Sequence, residues 1–234
     1  MSNFAVLLDI DGTLLDSNDA HAASWSDALR AYGYLISATE IRPLVGMGGD
    51  KVMATLVPGF APDDGGLGQK IAEHRTRIFS ADYLQKCTPT PGARDLLVEL
   101  RRRGCSLVMA TSATGDDLKA LLRAAGIADV IDAAATSDDA EASKPDPDIV
   151  HAALKKAKVS AERATMIGDT PYDILAAHAA DVQIVAVRCG GWKEPELSEA
   201  QAVYDDPADI LHHLNDEPLC RLFPRSPKSV PAHR

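Results

Sequence analysis

The sequence predicts an α/β protein: a parallel sheet covered on both faces by helices and interrupted once by an all-helical insert. Three observations predict it. Short apolar runs recur along the chain: FAVLL (4–8), SLVMA (106–110), VIDAA (130–134), ATMI (164–167) and QIVAV (183–187). Helical periodicity fills the segments between the later runs, and from about Ser17 to Lys86 no segment has strand character. Continuous apolar strands alternating with amphipathic helices are the pattern of a sheet buried on both sides.

The helices are read from their apolar spacing. Leu96, Leu97 and Leu100 share a face, as do Leu118, Leu121 and Leu122, and likewise Ile149, Ala152, Ala153 and Leu154. In the insert, Trp25, Ala28, Leu29 and Tyr32 recur at i, i+3, i+4 and i+7, and a second amphipathic run covers 69–79. About 70 residues is far more than an ordinary connection, so the insert is expected to be a module of its own. The segment CTPTPG (87–92) closes it. The expected division is a core of 1–16 and 88–217, an insert of 17–87, and a flexible tail of 218–234. That tail holds Arg221, Arg225, Lys228 and Arg234, no acid, Pro218, Pro224, Pro227 and Pro231, and no helical period.

At 46% hydrophobic and 25% charged, the composition is that of a globular protein with a real core. No apolar run approaches the ~18 residues of a spanning helix, and the run at 4–8 is too short for a signal peptide. A cytoplasmic protein without membrane partners is expected. Cys87, Cys105, Cys189 and Cys220 are scattered without CxxC spacing or companion histidines, so reduced thiols are expected. The net charge of −10 argues against nucleic acid as a partner. The acidic excess also repels anions at long range, so any phosphate site must supply its own local positive charge.

Four segments carry candidate chemistry. In DIDGTLLDS (9–17), Asp9 and Asp11 stand two apart, so an extended backbone projects both to one side, and Gly12 lets the chain turn. An EF-hand-like loop is excluded because no glutamate-terminated ligand series follows. Thr111 and Ser112 follow SLVMA directly, Lys144 lies in SKPDPDI, and Asp169 and Asp173 lie in GDTPYD after ATMI. Each of these three has an ordinary reading as well: hydroxyls and acids cap helices, and loop lysines are solvated. Their order is what matters. All four follow expected parallel strands, and ligands of open α/β sheets bind at the carboxyl ends of the strands. Carboxylates gathered there need a cation, and oxygen-only ligands select magnesium. A lysine and hydroxyls beside it make an anion site, so a magnesium-held phosphate is the natural occupant.

DIDGT, Thr111, Lys144 and GDTPYD, in this order and spacing, resemble the four motifs of the haloacid dehalogenase superfamily, over about residues 4–215. The resemblance is nearest to its phosphoglycolate phosphatase-like and beta-phosphoglucomutase-like branch. It implies a Rossmann-like parallel sheet core with an inserted all-helical cap, and a Mg2+-dependent phosphatase acting on a small phosphorylated metabolite. It further implies Asp9 as nucleophile and Asp11 as the acid that protonates the leaving oxygen and then activates water. Magnesium would be held by Asp9, the Asp11 carbonyl and Asp169, with Asp173 supporting; Thr111, Ser112 and Lys144 would hold the phosphoryl group. Mutases of the same branch carry a cap-loop lysine and arginine where this chain has Val45 and Gly49, which favours hydrolysis over phosphosugar isomerisation. His21 matches a hinge histidine of those mutases, but reads equally as a polar helix residue, and Lys51 is open in the same way. A phosphorylatable receiver domain also places Thr and Lys beside an acidic cluster, but has no helical insert and no second acidic pair after the lysine.

Overall fold

The computed structural model describes residues 4–57 and 66–224. Its centre is a six-stranded parallel sheet in the order β5-β4-β1-β6-β7-β8. The strands are β1 (Ala5–Leu8), β4 (Ser106–Ala110), β5 (Ala133–Ala135), β6 (Ala164–Gly168), β7 (Gln183–Val187) and β8 (Ala202–Tyr204). A separate antiparallel ribbon joins β2 (Leu15–Asp16) to β3 (Thr88–Pro89). The fold is α/β, as the alternation predicts.

β1 shows why the strand signal is a continuous apolar run. Successive side chains point to opposite faces, so Val6 and Leu8 enter one core while Ala5 and Leu7 enter the other. All four are fully buried. The first core is closed by helices α5 (Ala93–Arg102), α6 (Gly115–Ala124) and α10 (Pro207–His213) through Leu96, Leu97, Leu100, Leu118, Leu121 and Ile210. The second is closed by α7 (Asp148–Ala157), α8 (Pro171–Ala179) and α9 (Glu194–Leu197), through Ile149, Val150, Ala153, Ile174 and Leu197.

Helices α1 (Asn18–Ala31), α2 (Ala38–Ile41), α3 (Gly49–Leu56) and α4 (Leu67–Ile78) lie between the two strands of the ribbon in sequence. They enclose a third core of their own, including Trp25, Leu29, Ile41, Val52, Met53 and Ile71. Among the described residues no helix is long and apolar enough to cross a membrane.

Two expectations need correction, and one strand was not foreseen. VIDAA is a strand only from Ala133: Val130 closes a turn, its N–H donating to Ile127 O at 3.0 Å, and buries its side chain from there. The edge strand β8 had no sequence signal, because its apolar run AVY is only three residues long and half-buried throughout. The tail is not loose from 218. Leu219, Leu222 and Phe223, on and just after α11 (Leu219–Leu222), are buried in the first core. Thr165 Oγ1 donates to Leu222 O at 2.8 Å. Burying a leucine is worth about 1.5–3 kcal/mol, enough for a single turn to dock without helical periodicity. The remainder of the expected tail, 225–234, lies outside the described residues.

Candidate active site

Where β1 ends, the chain turns within Asp11–Leu15, with Gly12 N–H donating to Leu15 O at 2.7 Å. Gly12 has φ +79°, and a Cβ there would stand 2.1 Å from Asn18 Nδ2 and 2.3 Å from Asp169 Oδ2. Glycine is required by conformation and by space alike. Gly190 approaches Asp169 from another side, at 1.7 Å for the same hypothetical Cβ. The Asp169 carboxylate is thus enclosed by two backbone approaches.

The turn and the strand ends place three buried carboxylates together. One oxygen from each of Asp9, Asp169 and Asp173 lies within 4.8 Å of the others. Lys144, 1% exposed, reaches Asp9 Oδ1 at 2.6 Å and Asp173 Oδ1 at 2.7 Å. Thr13 Oγ1 donates to Asp9 Oδ2 at 3.2 Å and Asp169 Oδ1 at 3.0 Å. Asn18 Nδ2 donates to Asp169 Oδ2 at 2.8 Å and to Gly190 O at 3.1 Å. Asp173 does two jobs. Its Oδ2 accepts from Thr170 N–H and Oγ1, closing a capping box on α8, while its Oδ1 pairs with the lysine.

One ammonium cannot balance three buried carboxylates. Burial pushes Asp9 up to about 7, with Asp173 and Asp11 adding to it and Lys144 opposing. Burial, then Asp9 and Asp173, hold Asp169 well above the usual carboxylate range. Lys144 is raised: burial lowers it, but the attraction of Asp173 and Asp9 is greater. A cluster of hard oxygen donors with unbalanced negative charge fits a divalent cation such as magnesium.

Asp11 turns the other way. Its Oδ1 accepts from Ser17 Oγ at 2.5 Å and pairs with His21 Nε2 at 2.7 Å. On the far side of the imidazole, Nδ1 is hydrogen-bonded to Arg75 Nη2. A guanidinium can only donate, so Nδ1 is the acceptor and Nε2 carries the proton. Burial, with Arg75 adding, holds the His21 pKa down and agrees with that neutral tautomer. Burial raises Asp11, but His21 and the Ser17 hydroxyl outweigh it and the carboxyl lies below its ordinary value. The attraction of His21 leads, followed by its hydrogen bond, that of Ser17 and the attraction of Arg75.

Thr111 and Ser112 follow β4 and line, with Asp9 and Asp11, a cavity of about 340 Å³ between sheet edge and insert. Thr111 Oγ1 accepts from Ala113 N–H at 3.1 Å. Ser112 Oγ is buried without a partner. The expected residues thus fall into two groups that meet at Asp9: the cluster of Asp9, Asp169 and Asp173 with Lys144 on two of them, and Asp11 with Thr111 and Ser112 around the cavity.

Sequence reading missed Thr13, Asn18 and Arg75. Arg75 alone left a signal: it stands four residues after Ile71 and four before Phe79, a charge on the buried stripe of α4. Lys51, left open, is a clasp between insert and core: it donates to Ser143 O at 2.5 Å and pairs with Asp146, beside a Ser143–Asp50 bond of 2.8 Å.

An open parallel sheet with acids, hydroxyls and a lysine at its strand ends belongs to the class of α/β enzymes that handle phosphorylated ligands. The sequence model of the haloacid dehalogenase-like hydrolases matches residues 6–187, and the chain belongs to this family. It is a phosphoric monoester hydrolase. A phosphoglycolate phosphatase of Rhodospirillum rubrum is 30% identical over 214 residues, 88% of each chain. A hydrolase from Pseudomonas syringae superposes with a TM-score of 0.83 at 30% identity, over 92% of this chain and 99% of its own. CbbY from Rhodobacter sphaeroides, solved in complex with phosphate, gives 0.76 at 27% identity, over 90% and 96%.

Proposed function

We propose that the protein is a magnesium-dependent phosphatase that hydrolyses a small phosphorylated metabolite through an aspartyl-phosphate on Asp9. The observation that carries this reading is the Lys144 bridge between Asp9 and Asp173, at the edge of a three-carboxylate cluster. The name of the Rhodospirillum rubrum relative makes phosphoglycolate the first candidate substrate.

In this reading 17–87 is a cap over a core of 1–16 and 88–217, with 218–224 belonging to the core. Asp9, the Asp11 carbonyl and Asp169 would hold Mg2+, with Asp173 supporting. The ion, when bound, supplies charge that lowers Asp9 into its ionised form and neutralises phosphoryl oxygens. Lys144 and Thr13 each hold one oxygen of Asp9, which fixes the carboxylate's orientation for attack on phosphorus. Ser112 Oγ, lacking a partner, and Thr111 would donate to phosphoryl oxygens. The barrier falls chiefly by positioning and charge balance, as phosphoryl transfer requires. A phosphoryl dianion arriving beside Asp11 raises its pKa, since like charge favours the neutral acid. Asp11 then protonates the leaving alkoxide and afterwards takes the proton of the attacking water.

Hydrolysis rather than isomerisation is supported by Val45 and Gly49, which offer the cap loop no cation, and by Lys51, which is spent on the clasp. The test is phosphate release from nitrophenyl phosphate with Mg2+ and with EDTA, followed by acid quench and mass analysis. One phosphoryl group should be found on the peptide containing Asp9. Full turnover without divalent metal, or a phosphoryl group on another residue, overturns the proposal.

A further inference from the structure

The cavity beside Asp9 and Asp11 has one cationic lining residue among those described, and it comes from the insert: Arg75 on α4. No carboxylate forms an ion pair with it among the described residues. Its hydrogen bond goes to a neutral imidazole nitrogen, and its Nε has no partner. The guanidinium is held in place by two rings, 5.4 Å from Trp25 and 5.0 Å from Phe79, and Phe79 also stacks on His21 at 4.1 Å. A half-buried, oriented guanidinium that feels Asp11 and Asp117 only at a distance, with no carboxylate bonded to it, is a recognition device for an anion, and its planar fork matches a carboxylate.

The rest of the lining restricts what that anion can be. Asp50 and Asp117 also face the cavity, so negative charge is tolerated only next to Arg75. A single positive charge balances a carboxylate; a second phosphoryl dianion would leave excess negative charge in an already acidic enclosure. Resting on the phosphatase reading above, we propose that Arg75 is the specificity residue of the cap, selecting phosphate monoesters that carry a carboxylate close to the ester. Arg75 thereby provides, from the insert, the local positive charge that an acidic protein must bring to an anionic substrate.

A purely structural Arg75, present only to orient His21, would affect all substrates alike. The experiment therefore reads a ratio. Phosphoglycolate and its neutral isostere phosphoglycolamide are compared by kcat/KM in the wild type, Arg75→Met and Arg75→Gln, each variant first checked for native near-ultraviolet circular dichroism. The wild type should prefer the carboxylate by at least about tenfold, mostly through KM, and either folded variant should bring the ratio to within about twofold of unity. No preference in the wild type overturns the proposal even if neither variant folds. A ratio preserved in a variant overturns it too, and assigns Arg75 to positioning His21 alone. Failure to release phosphate from either ester and from nitrophenyl phosphate would instead overturn the phosphatase reading.

Discussion

Asp9 and Asp11 are two residues apart in sequence and both buried, yet their surroundings push them in opposite directions. Asp9 sits among carboxylates with one lysine and is driven up to about 7. Asp11 faces the insert, accepts from a serine and a histidine, and is driven below its ordinary value. The pair teaches that an alternating acidic motif does not by itself assign roles. What assigns them is which carboxylate meets other acids and which meets donors, and here the donors Ser17 and His21 come from the start of the insert.

Asp9→Asn should lower turnover by at least about 10^4-fold, because an amide is no substitute nucleophile, while vanadate binding followed by calorimetry persists. Loss of both together would mean that the site has collapsed rather than lost its nucleophile.

Next comes Lys144→Met, which leaves Asp9 and Asp173 buried without their counter-charge. Breaking a buried pair costs about 3–5 kcal/mol, so the metal-free variant should melt well below the wild type, with saturating Mg2+ restoring part of the difference.

On the other side of the pair, Asp11→Asn should cost about 10^2–10^4-fold with alkyl phosphates and much less with nitrophenyl phosphate, whose leaving group needs no proton. Equal losses on both substrates would remove Asp11 as the acid.

The smallest effect expected is in stability against pH. The folded-state pKa of Asp9 is raised, so the folded protein binds that proton more tightly than the unfolded chain. Its stabilising contribution is full below about pH 4 and is lost as pH rises towards about 7. Melting temperatures of metal-free protein should fall over that interval. The fall should shrink in Asp9→Asn and with Mg2+ present, and an unchanged profile in the variant would argue that Asp9 is not the titrating group.

Much of this was legible in the sequence because it is local. Five apolar runs announced five strands, since a strand buried on both faces is apolar at nearly every position. The four segments after β1, β4, β5 and β6 had to converge once the sheet was parallel. What stayed illegible was either weakly patterned or long-range. β8 and the turn at 219–222 are too short to show a period. Thr13 and Asn18 became visible only through bonds to Asp169, more than 150 residues away. Arg75 left a signal in its four-residue spacing from Ile71 and Phe79, but its partner His21 lies 54 residues away.

The position of β1 bears on how the chain is made. It is the first strand in sequence but lies at the middle of the sheet, where Ala5 pairs with Ser106 on one side and Ala164 on the other. On a ribosome adding about 5–20 residues per second, this fully apolar segment waits on the order of 5–20 seconds for its first partner strand and longer for its second. The helices between 18 and 78 make their contacts locally and need not wait, and contacts of short sequence separation form fastest. The insert is therefore equipped to fold while the strand before it is still unpaired. During that interval the nascent chain carries an unpaired apolar segment, and that exposure follows from the placement of four residues.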